Sequence, residues 1–142
     1  MVFPDEPFGG AKLALFIGGR LLVIRRDERP YIPWPGYWDL PGGGREGGES
    51  PKACVLRETA EETGMILHEP ALVWGRAHDG PQGVTWFFAA HLDDAAQSRV
   101  RLGDEGQEWC LMTWQAYCAH DLAIPHFAER LAEYVRVSRF LL

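Results

Sequence analysis

Apolar residues along this chain come in short runs broken by glycine and proline, a pattern that predicts strands and helices in alternation. Lys12-Leu-Ala-Leu-Phe-Ile17 reads as a buried strand, Gly18-Gly19 as a hairpin turn and Arg20-Leu-Leu-Val-Ile24 as the return strand. Residues 30–37 hold three prolines, a glycine and three aromatics, and read as an ordered loop. Trp38-Asp39-Leu40-Pro41 reads as extended, because Pro41 disfavours helix in the residue before it. A glycine-rich stretch, 42–48, follows. Ser50-Pro51 is a helix start, with serine as N-cap and proline in the first turn, and Gly64 is its stop. Residues 66–77 and 84–92 read as strands around an Asp-Gly-Pro turn, and 109–113 as another. Phe127, Leu131, Tyr134 and Val135 fall at helical spacing within 125–139. Helices mixed with hairpins make α+β the expected class.

Size and composition narrow the picture. The 142 residues suit a single domain, 1–142, with one core. The acidic, Pro-broken start is no signal peptide, and no apolar run approaches the ~18 residues of a membrane span, so no membrane partner and a cytoplasmic location are expected. Cys54, Cys110 and Cys118 are too few and too scattered for a disulfide framework or a zinc site and read as buried thiols. A net charge of −6 argues against polymeric nucleic acid as a partner. Lysine occurs only at Lys12 and Lys52, so local positive charge must come from arginine.

The helix 50–63 carries the informative chemistry. At roughly 100° per residue, Ala53, Leu56 and Ala60 share one face, while Glu58, Glu61 and Glu62 share the opposite one. Like charges at this spacing destabilise a helix. Nothing at helical spacing supplies a neutralising lysine, and Arg57 stands at the edge of the group. Two readings compete at this point. One is a solvated acidic face. The other is a site for a hard cation such as Mg²⁺ or Mn²⁺, which prefers carboxylate oxygens and cancels their repulsion.

The loop before the helix separates these readings. Gly43, Glu49 six residues later, then Arg57-Glu58, Glu61-Glu62 and Gly64-Met65 resemble the signature of the Nudix hydrolases over 23 residues, with Thr59 where an aliphatic residue is usual. Trp38-Asp-Leu-Pro-Gly-Gly43 is also similar to that family. The resemblance implies an α/β/α sandwich with a mixed sheet and a metal-dependent enzyme that cleaves a nucleoside diphosphate linked to a group X. The MutT-like branch implies nucleoside triphosphates. A nucleotide-sugar or dinucleotide diphosphatase, or a catalytically silent nucleotide-binding module, is the alternative. The resemblance also implies roles. Glu58 and Glu62 are principal ligands of Mg²⁺ or Mn²⁺. Glu61 is a further ligand or orients water, and the Gly43 backbone touches metal. Arg57 and Glu49 hold the carboxylates in place. Glu105, with Glu108 in reserve, completes the metal site as a further acidic residue, and Arg26 contacts phosphate. Relatives often dimerise, so a homodimer is compatible with the resemblance.

Other residues attract weaker readings. Trp34 and Tyr37 are candidate base-stacking residues, and His126 lies in the late region that reads the nucleobase in MutT-like relatives, here without their asparagine. For most aromatics, packing is the simpler reading. Gly42-Gly-Gly-Arg-Glu-Gly47 matches a dinucleotide fingerprint, but no buried strand precedes it and the acidic residues lie inside the helix that follows, so that reading fails. The five histidines form no metal spacing.

Overall fold

The computed structural model describes residues 7–81 and 83–139. Strands β1 (Gly10–Ile17) and β2 (Arg20–Arg25) form the expected hairpin. Then come β3 (Trp38–Asp39), β4 (Gly42–Gly44), helix α1 (Pro51–Thr63), β5 (Trp74–Gly80), β6 (Gly83–Leu92), β7 (Glu108–Met112), α2 (Trp114–Ala119) and α3 (Pro125–Val137). Among the described residues the strands make one sheet in the order β3-β2-β1-β6-β5, with β4 added to β1 and β7 added to β2. The β1–β6 pair is parallel and the other named pairs are antiparallel, so the sheet is mixed.

Side chains of a strand alternate between its faces, and β1 sorts accordingly. Ala11, Leu13, Leu15 and Ile17 pack with Cys54, Val55 and Met65 on the α1 side. Ala14 and Phe16 pack with Tyr117, Ile124, Phe127, Leu131 and Tyr134 on the α2–α3 side. Burial on both faces explains the near-continuous apolar run of β1. Each fully buried large side chain, such as Phe16 or Leu131, contributes about 1.5–3 kcal/mol of transfer free energy. The result is the expected α/β/α sandwich.

Several expectations change. The strand expected over 66–77 begins only at Trp74; a one-turn 3₁₀ helix, Glu69–Ala71, precedes it, and Pro70 has no amide to give a ladder. Gly42–Gly44 is a strand, because β1 begins at Gly10 and pairs with it. The 3₁₀ turn Asp94–Arg99 and helix α2 were not anticipated; both are too short to show a period. On α1 the buried residues are Pro51, Cys54, Val55, Thr59 and Thr63, not the Ala53–Leu56–Ala60 face. The helix is turned by its packing on β1, and the Thr59 hydroxyl is buried with no hydrogen-bond partner among the described residues. Cys54 is buried, whereas Cys110 and Cys118 are only partly so.

Beneath α3, His91 Nε2 and Tyr134 Oη are 2.6 Å apart, and the His91 ring stacks on Phe16 at 4.7 Å. Burial lowers the pKa of His91, and desolvation is also the largest cause of the lowered values of His78 and His126. Their folded pKa values therefore lie below the unfolded value of about 6.5. As pH falls through that value the unfolded chain takes up protons first, so the contribution of these histidines to stability is full above about pH 6.5 and declines below it. The carboxyl of Glu62, whose pKa burial raises, shifts stability the other way over the same range, so His91 is read by difference. His91→Phe keeps the stack but cannot titrate, so its urea midpoint should rise relative to wild type between pH 7.5 and 5.5; a constant difference would remove His91 from this account.

Candidate functional site

Helix α1 is built by local chemistry. Ser50 Oγ accepts from the Ala53 amide at 3.1 Å. At the other end Gly64 takes φ 72°, and its amide reaches the Ala60 carbonyl. Only glycine adopts that left-handed turn at little cost. The incoming loop satisfies two further carbonyls of the helix end: the Arg101 amide donates to Thr63 O at 2.8 Å and the Gly103 amide to Glu62 O at 2.9 Å. A Cβ at Gly103 would collide with the Glu61 carbonyl, so this approach needs glycine. Farther along, Gln107 donates from its backbone to Arg25 O and from its side chain to Arg26 O. Tied at both ends, the loop holds Asp104 and Glu105 beside the helix carboxylates.

Arg57 is the hub of the acidic face. Its Nε donates to Glu49 Oε2 at 2.6 Å and its Nη2 to Glu49 Oε1 at 3.1 Å. Nη1 donates to Glu58 at 2.9 Å and to Glu61 at 3.2 Å, and Nη2 also reaches Gly44 O. A planar fork can serve several acceptors at once. The hydrogen bond from Arg57 holds the Glu49 carboxyl below its ordinary pKa, and the same partner raises that of Arg57.

Glu62 lies apart from this hub. Its Oε1 accepts from the Gly42 amide at 3.0 Å. Burial raises its pKa, against the opposing pull of Lys12 and the Gly42 amide. Nearby, Asp39 holds two cations: Lys12 Nζ at 3.1 Å and Arg26 Nη1 at 2.8 Å. These groups surround a cavity of about 600 Å³ lined by Glu46, Glu58, Glu61, Glu62, Asp104 and Glu105, by Gly42–Gly44, and by Lys12, Arg26 and Asp39. A smaller cavity of about 180 Å³ shares Arg26, Asp39, Glu62, Asp104 and Glu105 and adds Arg29 and Ile32.

The structure thus brings Gly43, Glu58, Glu61, Glu62, Glu105 and Arg26 to one cavity. Arg57 and Glu49 stand beside it as the hydrogen-bonded brace. Glu108 is an exposed residue of β7 opposite Arg25 and is not in the lining. Trp34, Tyr37 and His126 gather elsewhere: Trp34 meets Tyr37 at 5.0 Å and His126 at 6.2 Å, and none of the three lines either cavity. Sequence reasoning missed Lys12, Asp39, Glu46 and Asp104. A lone charge at a position of β1 that alternation assigns to the core was the available signal for Lys12.

Seven of the twelve residues that line the cavity are carboxylates, the oxygen donors a hard divalent cation takes. Among the described residues no three acidic, histidine or cysteine side chains converge closely enough to grip an ion as they stand. Arg57 draws Glu58 and Glu61 one way, and the Gly42 amide draws Glu62 another.

Comparison with known proteins identifies the family and the fold. The NUDIX domain model matches residues 11–135. Nudix hydrolase 25 of Arabidopsis thaliana is 28% identical over 101 residues, 57% of this chain and 57% of that protein. An RNA pyrophosphohydrolase of Gluconacetobacter diazotrophicus is 33% identical over 104 residues, 61% of this chain and 62% of that protein. The chain thus spans less than two thirds of the length of either relative. The crystal structure of the MutT protein from Methanosarcina mazei Go1 superposes with a TM-score of 0.72 at 22% identity, covering 89% of this chain and 91% of that one, a likeness of fold. The family model runs from the first strand to the last helix and takes in every residue that lines the large cavity, and the chain belongs to the NUDIX domain family.

Proposed function

We propose that this chain, as a single domain over 1–142, is a Mg²⁺- or Mn²⁺-dependent hydrolase of the cytoplasm. It would split the diphosphate linkage of a nucleoside diphosphate–X compound, with nucleoside triphosphates as the favoured class. The observation that carries the reading is the composition of one cavity: the α1 carboxylates Glu58, Glu61 and Glu62, with Asp104 and Glu105, share it with the guanidinium of Arg26. A diphosphate ester needs both, a cation held by acids and a fixed positive charge for the oxygens that the cation leaves uncovered.

In this reading Glu58 and Glu62 are the principal metal ligands, joined by Glu61, Glu105 and the Gly43 backbone. The bound cation supplies charge neutralisation on the diphosphate and a more acidic attacking water. Glu61, the most exposed of the helix trio, orients that water and can take up its proton. Arg57, braced by Glu49, holds Glu58 and Glu61 in place at the wall of the cavity. Arg26, held by Asp39 and by the Pro33 carbonyl, contacts phosphate oxygens. Trp34, Tyr37 and His126 form an aromatic group on the flank of the site that could stack a base once the substrate extends beyond the cavity.

The test is release of phosphate and pyrophosphate from nucleoside triphosphates, nucleotide sugars and dinucleotides with Mg²⁺. Turnover of triphosphates above the others, abolished by a chelator, is expected. A clear preference for either other class would replace the substrate reading. Binding without turnover of any of them by folded protein would favour a silent nucleotide-binding module.

A further inference from the structure

Lys12 is the one charged residue inside the apolar run of β1, and its ammonium is saturated. It donates to Asp39 Oδ2 at 3.1 Å, to the Leu40 carbonyl at 3.2 Å and to the Gly42 carbonyl at 3.0 Å. An ammonium has three N–H groups, so none remains for a substrate. Its head also lies 5.5 Å from the centre of the Phe127 ring, and its side chain is only 18% exposed. What Lys12 grips is a turn. Asp39 Oδ1 accepts from the Leu40 amide, the Pro41 carbonyl accepts from the Leu13 amide, and the Gly42 amide holds Glu62. A path of hydrogen bonds therefore runs from Lys12 through the Asp39–Gly42 turn to the Glu62 carboxylate.

We propose that Lys12 is a positioning residue, which locks the Asp39–Gly42 turn so that the Gly42 amide aims Glu62 into the cavity. This rests on the reading of that cavity as a divalent-cation site. Lys12 could act through its charge or through its grip on the turn. Lys12→Met loses both, whereas Lys12→Gln loses only the charge.

Mn²⁺ titration of the nucleotide-free protein, followed by the electron paramagnetic resonance of free Mn²⁺, separates the two. Lys12→Met should weaken Mn²⁺ binding about tenfold, the scale of losing a residue that orients a ligand, although the cavity has become more negative. Lys12→Gln, uncharged but able to donate to the Leu40 and Gly42 carbonyls, should keep most of the affinity. Binding by Lys12→Met that equals or exceeds wild type would overturn the proposal, as would Lys12→Gln falling as far as Lys12→Met. If Lys12→Met does not fold, Lys12→Asn, too short to reach the turn, takes its place, and equal affinity of the Asn and Gln variants overturns the clamp. Glu62→Gln is titrated in parallel. Lost binding there with Lys12→Met unchanged removes only the clamp, whereas unchanged binding in Glu62→Gln removes the cation site itself.

Discussion

Glu62→Gln is expected to abolish most of the activity without unfolding the protein. Loss of a residue that merely orients a metal ligand costs about 10–100-fold, and loss of a ligand that also faces the reacting diphosphate should exceed that, about 10²-fold or more in kcat/KM. The same substitution should not lower the melting temperature of the metal-free protein. Glutamine keeps an oxygen to accept from the Gly42 amide. It also removes a carboxylate whose charge is opposed by burial, as its raised pKa shows. The pairing of lost turnover with retained or raised melting temperature, read by steady-state kinetics and by thermal denaturation in chelator, is the signature of a ligand held at the expense of stability. Full activity in this variant would remove Glu62 from the site.

Arg57→Met is expected to have the largest effect on stability. The guanidinium is the shared partner of Glu49, Glu58 and Glu61, and its side chain and that of Glu49 are about four-fifths covered, 22% and 18% exposed. Removing it leaves three neighbouring carboxylates without their common countercharge. Hydrogen bonds to charged groups are worth about 1.5–3 kcal/mol when one partner is removed, and residual solvent screening keeps the total near about 2–3 kcal/mol. For a chain of this size that is roughly 6–9 °C in Tm. Arg57→Lys should recover only part, since an ammonium cannot reproduce the fork that meets both oxygens of Glu49. Added Mg²⁺ should restore more Tm to Arg57→Met than it adds to wild type, because a divalent cation replaces part of the missing positive charge. Thermal melts with and without Mg²⁺ measure this directly, and a variant as stable as wild type in chelator would show that the acidic face needs no hub.

What could be read from the chain alone was the chemistry that lies close in sequence. Ser50, Pro51 and Gly64 bound the helix because capping depends on backbone groups a few residues away. Glu49, Arg57, Glu58 and Glu61 are brought together by helical rise and one loop turn, so their spacing in the sequence nearly is their spacing in space. The hairpin of β1 and β2 was legible for the same reason. The apolar run of β1 marked a buried strand, while the helices that cover both of its faces were implied only by the family resemblance.

The tertiary structure decided everything that depends on partners far along the chain. The face that α1 buries follows from its docking on β1, where Cys54, Val55, Thr59 and Thr63 meet the sheet; the polar Thr59 and Thr63 disguised that face in the sequence. Lys12 meets Asp39 across 27 residues, and the Gly42 amide meets Glu62 across 20. Asp104 and Glu105 join the cavity only because Gly103 lets their loop press against the end of the helix. The sequence determined which carboxylates stand on one helix and how they are braced. That burial opposes the charge of Glu62 follows from desolvation and Coulomb forces, which depend on distance and burial rather than on order in the chain.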